Sequence, residues 1–146
     1  MYHKGIRLSF RHKAWLYSTL AVLYLSGLFW AFLHYFAKRP EGMEELPHPS
    51  EPLALQIHGA AAYLVLVILG TLIPIHIKRA WTIRKNVPTG LLVILLNIVL
   101  ILTGLGLYYF ANEALRNFTS QSHLISGLLY LPLLAVHIYL GKKNAL

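Results

Sequence analysis

The chain has 146 residues, of which 57% are hydrophobic and 12% are charged, about half the charged share of an average soluble domain. Its mean hydropathy is +0.57 and its formal net charge is +8. This composition indicates a membrane protein. The chain contains no cysteine, which excludes disulfides, thiolate zinc sites, cysteine-ligated iron–sulfur clusters and covalently attached haem.

Four apolar runs are long enough to cross a hydrocarbon core of roughly 30 Å, which takes about 20 helical residues. They predict membrane spans at about 14–36, 53–77, 89–110 and 120–141. Little of the chain remains outside them, so we expect one all-α, four-span transmembrane domain over residues 1–146. The first run is longer than the apolar core of a typical signal peptide, and we expect it to stay as an uncleaved anchor.

The basic residues predict which side of the membrane each loop occupies. With four crossings, the N-terminal arm, the middle loop and the tail share one side, and ten of the 13 Lys and Arg residues lie there. This asymmetry predicts cytoplasmic termini in a multi-pass protein of the bacterial cytoplasmic membrane. It is a topology signal and does not indicate a nucleic-acid partner. The ten residues are Lys4, Arg7, Arg11, Lys13, Lys78, Arg79, Arg84, Lys85, Lys142 and Lys143.

The sequence also contains a pattern that occurs twice. The second and fourth runs (56–79 and 121–143) both begin Gln-x-His, both end Pro…His-Ile, and both continue into basic residues. The first and third runs each contain a leucine, a small hydroxyl residue and a glycine in series, at 25–27 and 102–104. Two similar helical hairpins predict an antiparallel four-helix bundle.

Four histidines fall at two levels of this predicted bundle. The second and fourth spans run in the same direction, so His58 and His123 lie near the outer ends, and His76 and His137 near the inner ends. In regular α-helices, residues eighteen apart share one face and residues fourteen apart lie on nearly one stripe. Polar side chains in lipid usually need a partner. Two imidazoles at one level suit axial ligation of a haem iron, which leaves no open coordination site.

The arrangement resembles the four-helix b-type membrane cytochromes, namely the haem-bearing core of cytochrome b and the b-type subunits of hydrogenases and formate dehydrogenases. In that core, histidines spaced H-x13-H on the second and fourth helices hold each haem. His123 and His137 have that spacing, whereas His58 and His76 have seventeen intervening residues. The resemblance covers essentially the whole chain and implies two b haems, one held by His58 and His123 and the other by His76 and His137.

Several other residues are candidates for contact with such a haem. Gly27 and Gly104 leave space where a flat ring approaches the backbone, although small residues also allow close helix contact in membranes. Arg116, on the outer side, is available to a haem propionate or acts only as a topology determinant. His34 near the outer end of the first span is a reserve ligand.

The predicted function is electron transfer across the membrane, between a quinone or cytoplasmic-side donor and an acceptor outside. The protein would work with a catalytic subunit or as a homo-oligomer, with no catalytic residues of its own. The predicted spans contain no Asp or Glu, which argues against a proton-coupled transporter. The alternatives are a haem-free structural or assembly subunit of a membrane complex, and a variant that binds a single haem.

Overall fold

The structure, a computed structural model, describes residues 8–41 and 44–143. Lys4 and Arg7 of the predicted basic arm lie outside the described residues. The predicted all-α fold class is confirmed, because helices dominate the described chain. The elements in order are helix α1 (Phe10–Phe36), strands β1 (Arg39–Glu41) and β2 (Glu44–Leu46), helix α2 (Glu51–Leu72), a π-helical turn (Ile73–Ile77), and helices α3 (Lys78–Thr82), α4 (Val87–Tyr109) and α5 (Glu113–Lys143).

The described chain forms two compact units, one ending at His76 and the other beginning at Ile77. Helices α1 and α2 form the first hairpin, and helices α4 and α5 form the second. Within each hairpin the contacts pair the start of one helix with the end of the other. His12 meets Thr71 while His34 meets Glu51 in the first hairpin. Both hairpins are therefore antiparallel.

Four helical segments among the described residues are long and apolar enough to cross a membrane: Phe10–Phe36, Glu51–Thr82, Val87–Tyr109 and Glu113–Lys143. The first segment ends where its predicted span ends, and the third stops one residue short. At every other end the segments extend beyond the predicted spans. The prediction followed hydropathy alone, and hydropathy falls before a helix ends. The extra turns contain polar residues that a helix accommodates at an aqueous interface. The protein is thus an integral membrane protein by the length and composition of its helices.

Local chemistry sets where the long helices begin. The Ser9 hydroxyl accepts a hydrogen bond of 3.2 Å from the His12 backbone N–H at the start of α1, as N-cap serines do. The Asn112 side-chain oxygen accepts one of 3.0 Å from the Leu115 N–H at the start of α5. Helices α2 and α4 each have a proline in their first turn, where the missing N–H is no loss.

The connection between α1 and α2 contains the short antiparallel pair β1–β2. The carboxylate of Glu51, at the start of α2, joins this connection to α1. One oxygen pairs with His34 Nδ1 at 3.1 Å and the other accepts the His48 backbone N–H at 3.2 Å. His34 also stacks on the indole of Trp30, with ring centroids 4.7 Å apart.

The end of α2 corrects one geometric expectation. The structure has a π-helical turn at Ile73–Ile77, around Pro74. Proline has no backbone N–H to donate, and a π-helical turn accommodates one extra residue. His76 lies in this turn. In a regular α-helix His58 and His76 would share one face. The π-helical turn rotates His76 away from that face by up to roughly 100°.

Candidate functional site: three histidine–hydroxyl clusters

His58 lies against α1 at the positions of Ser26 and Gly27. Its Nδ1 is 2.9 Å from the Leu23 carbonyl oxygen and 3.3 Å from the Ser26 hydroxyl. A Cβ added to Gly27 would lie 2.9 Å from His58 Cε1 and 3.1 Å from Nδ1. Real Cβ atoms do not approach so closely, so this position requires glycine as long as the imidazole stays in place.

His123 occupies the corresponding place in the second hairpin. Its Nδ1 is 2.9 Å from the Thr103 hydroxyl of α4. A Cβ added to the neighbouring Gly104 would lie 3.6 Å from His123 Cε1, at ordinary van der Waals distance. The same combination of a hydroxyl, a following glycine and an opposing imidazole therefore occurs in both hairpins.

His137 completes a third cluster of the same kind. Its Nδ1 is 2.9 Å from the Thr89 hydroxyl, and a Cβ added to Gly90 would lie 3.4 Å from its Cε1. The Asn86 amide also donates a 3.0 Å hydrogen bond to the His137 backbone carbonyl. That contact ties the loop before α4 to the last turns of α5.

The spacing of the residues explains why two clusters form in the second hairpin. Thr89–Gly90 and Thr103–Gly104 are fourteen residues apart on α4, and His123 and His137 are fourteen residues apart on α5. Because the two helices are antiparallel, a register that brings Gly104 to His123 also brings Gly90 to His137. The H-x13-H spacing thus has a matching spacing of hydroxyl and glycine residues on the opposing helix.

The hydrogen bonds also determine which ring nitrogen carries the proton when each imidazole is neutral. A carbonyl oxygen only accepts, so the Leu23 carbonyl requires His58 to donate from Nδ1. Thr103 donates its single hydroxyl proton to the Val99 carbonyl at 2.6 Å, so its oxygen accepts from His123 Nδ1–H. Thr89 is 3.3 Å from the Asn86 carbonyl oxygen and acts on His137 in the same way. In all three rings the lone pair is then on Nε2.

The remaining predicted site residues lie elsewhere. His76 is half-buried in the π-helical turn. Arg116 lies in the first turn of α5 with an exposed side chain, so it belongs to a helix and not to the predicted outer loop. His34, the reserve ligand, pairs through Nδ1 with Glu51. The predicted pairings His58–His123 and His76–His137 each join one hairpin to the other, and they stay predictions.

A further polar pair lies midway between the two clusters of the second hairpin. The Asn97 amide donates to the Val93 carbonyl at 2.8 Å and to the Tyr130 hydroxyl at 3.1 Å. Tyr130 is 7% exposed and lies seven residues from both His123 and His137. Polar groups inside a membrane must find partners within the protein, and this pair meets that requirement.

The sequence patterns had identified Gly27, Gly104 and the four histidines, but not Thr89, Gly90 or the partner role of Ser26. A signal was present in the sequence. Three of its four Ser/Thr–Gly dipeptides, at 26–27, 89–90 and 103–104, lie opposite a histidine, and the last two repeat the spacing of the histidines. The fourth dipeptide, Ser126–Gly127, faces Leu100.

Fold and site together define an all-α membrane protein with imidazoles fixed by hydroxyl and carbonyl groups inside its helical hairpins. No family model, no curated protein and no solved structure matches the chain.

Proposed function

We propose that this protein is a di-haem b-type membrane cytochrome that carries electrons across the membrane. His58 and His123 hold the outer haem, and His76 and His137 hold the inner one. The observation that carries the proposal is the oxygen atom 2.9 Å from Nδ1 of three of these imidazoles, which favours a proton on Nδ1 and a lone pair on Nε2 in each ring. Histidines that bind a metal commonly donate their other N–H to an oxygen atom in this way.

The donor set fits haem b. Neutral imidazole nitrogens are common axial ligands of haem iron, and non-covalent haem needs no cysteine, of which the chain has none. Among the described residues there is no group of three or more metal-binding side chains, whereas a haem needs only one or two from the protein. Bound haem supplies a one-electron ferric/ferrous couple. The protein's own residues fix the imidazole tautomer and hold the rings in place.

The glycines next to the imidazoles also support haem ligation by these histidines. Their physical role differs from the one that the sequence suggested. They were expected to make room for a flat macrocycle. In the structure the space beside Gly27 is filled by the His58 ring itself. Glycine therefore lets the imidazole approach α1 closely enough to reach the Leu23 carbonyl, which orients the ring.

The exchange partners we propose are a quinol or a cytoplasmic-side redox protein as donor and an oxidant outside as acceptor. A catalytic subunit or further copies of the chain would complete the assembly. Each electron that enters from the donor leaves to the acceptor, and a quinol releases two protons for the two electrons it gives. Arg116 is available to a propionate of the outer haem.

A visible absorption spectrum and a haem-to-protein ratio test this proposal. We expect two haems per chain and a sharp α-band on reduction. His123→Ala and His137→Ala should each lose one haem, whereas the matched control His48→Ala, in the connection before α2, should keep both. A colourless preparation would contradict the proposal and favour the haem-free structural subunit. A ratio of one in the unmodified protein would favour the single-haem variant.

A further inference from the structure

A cavity of about 220 Å³ lies between α1 and α2 at the end of the first hairpin opposite the β1–β2 connection. It is open on one side, and both helices contribute three residues to its wall. Those residues are Arg11, His12 and Trp15 from α1, and Val67, Ile68 and Thr71 from α2.

The wall of this cavity changes from polar to apolar with depth. Arg11 and His12 lie in the first turn of α1, and Trp15 lies one turn further into the span. Helix α2 runs in the opposite direction, and Thr71 lies at the level of His12, so Val67 and Ile68 lie deeper. Polar residues at the helix end and apolar residues toward the membrane centre match the order of headgroup and acyl chain in a phospholipid.

A hydrogen bond between the two helices holds the cavity wall in place. Thr71 donates its hydroxyl proton to the Ile68 carbonyl at 2.7 Å. Its oxygen therefore accepts from His12 Nε2–H, at a distance of 3.1 Å. This bond fixes the His12 ring across the gap between α1 and α2, and the cavity is formed before any ligand enters it.

Charge and size define the class of ligand. The wall contains the cation Arg11 and no acidic residue, and the basic-residue asymmetry places this end at the cytoplasmic leaflet, where anionic lipids attract Lys and Arg. A water molecule in the liquid occupies about 30 Å³, so the cavity has room for roughly seven. That suits a small headgroup and is below the size of most drug-sized pockets. The remainder of the ligand must run along the outside of the hairpin.

We propose that this cavity binds one anionic phospholipid, with its phosphate at Arg11 and the start of an acyl chain against Trp15, Val67 and Ile68. Trp15 is 68% exposed, which leaves its indole available to lipid at the interface, where tryptophan is favoured. This inference does not depend on haem binding, because it uses neither the proposed haem ligands nor their partners.

Fluorescence quenching by brominated lipids tests the proposal on the full chain. Trp30→Phe and Trp81→Phe together leave Trp15 as the single tryptophan. In vesicles with equal fractions of brominated lipid, we expect brominated phosphatidylglycerol to associate about fivefold more strongly with Trp15 than brominated phosphatidylcholine, since one cation near an anionic surface is worth about that factor. Any quenching by haem is common to both lipids and does not change their ratio.

Two charge variants separate a site from general surface attraction. Arg11→Gln should bring the ratio close to one. The matched control Lys13→Gln removes the same charge two residues further along α1, outside the cavity wall, and should keep the ratio. Equal loss in both variants, or no preference in the unmodified chain, would overturn the proposal.

A second measurement avoids the tryptophan substitutions. Mass spectrometry of the detergent-extracted protein gives the anionic phospholipid retained per chain for the unmodified protein, Arg11→Gln and Lys13→Gln. We expect about a fivefold loss in Arg11→Gln alone. Retention that is the same in all three proteins contradicts a site at Arg11.

Discussion

A histidine in a membrane-spanning helix has two ring nitrogens, and in this protein a neighbouring oxygen decides which of them carries the proton. Leu23 does so for His58 through its backbone carbonyl, and Thr103 and Thr89 do so for His123 and His137 through their hydroxyls. Each hydroxyl also lies close to a carbonyl of its own helix, at 2.6 Å for Thr103 and 3.3 Å for Thr89, which favours donation to the backbone over donation to the ring.

Thr103→Val tests how much the orientation of the His123 ring by the Thr103 hydroxyl contributes to haem binding. The variant keeps the shape of the side chain but leaves His123 Nδ1–H without its acceptor. Loss of such a partner typically weakens metal binding by about 10- to 100-fold, and we expect a loss of that order in haem affinity, measured by titrating haem into the depleted protein. Thr103→Ser keeps the hydroxyl and should bind as the unmodified protein does. Equal affinity of the valine variant would show that the hydroxyl does not orient the ligand.

Gly27→Ala tests the close approach of His58 to α1. The added methyl would meet the imidazole at 2.9 Å, and the ring is held by its bond to the Leu23 carbonyl. We expect a loss of stability of about 1–3 kcal/mol, typical of overpacking, together with loss of one haem. Gly70→Ala is the control, because nothing lies within 4 Å of a Cβ there. Thermal unfolding measures the stability of each variant, and haem content measures its haem loss. Equal results for Gly27→Ala and Gly70→Ala would contradict the close contact.

At the scale of elements, the two hairpins differ in the helix that carries the histidines. In the second hairpin α5 stays α-helical through Pro132, so the fourteen-residue spacing of its histidines applies along a regular helix. In the first hairpin the π-helical turn at Ile73–Ile77 follows α2. One extra residue in that turn reduces the axial separation of His58 and His76 by roughly the rise of one residue, 1.5 Å. The turn therefore offsets part of the difference between the two histidine spacings, which amounts to about 6 Å.

Pro74→Ala tests the role of this turn. Alanine restores a backbone N–H, so we expect the segment to return to an α-helix and to rotate His76 by roughly 100°. The measured result should be one haem per chain instead of two, with the outer haem retained. Pro132→Ala is the matched control in α5, where no π-helical turn is present, and it should keep both haems. Two haems in Pro74→Ala would show that the turn does not position His76.

At the scale of the whole molecule, the side of the membrane on which each loop lies follows from charge. The basic residues concentrate in segments that four crossings place together, and the acidic residues all lie on the other side. Lys and Arg next to a membrane span favour the cytoplasmic side. We therefore predict that the connection after α3 is cytoplasmic and that the connection between α4 and α5 is outside.

Labelling of single cysteines tests this topology without any background, because the chain has no cysteine of its own. We expect Ala111→Cys, between α4 and α5, to react with a membrane-impermeant maleimide in intact cells. Ile83→Cys, at the end of α3, should react only after the membrane is permeabilised. Both substitutions preserve the charge pattern that determines the topology. The reverse labelling pattern would show that the termini lie outside.

The helices were open to prediction because they depend on local patterns. A span must be about 20 apolar residues long whatever its neighbours are. The repeated Gln-x-His and Pro…His-Ile patterns placed His58, His76, His123 and His137 at the ends of their helices. Helix ends were less accurate, because caps such as Ser9 and Asn112 extend a helix into polar sequence where hydropathy gives no signal.

The sequence by itself thus determined an all-α membrane protein with four membrane-length helices, and the two histidine levels stay a prediction. Only the tertiary structure decided which oxygen faces three of the imidazoles and that Gly27 makes room for His58. The physical reason is the register between antiparallel helices. Hydropathy and spacing describe one helix at a time, whereas a hydrogen bond from His123 to Thr103 requires two helices to be packed at one fixed offset.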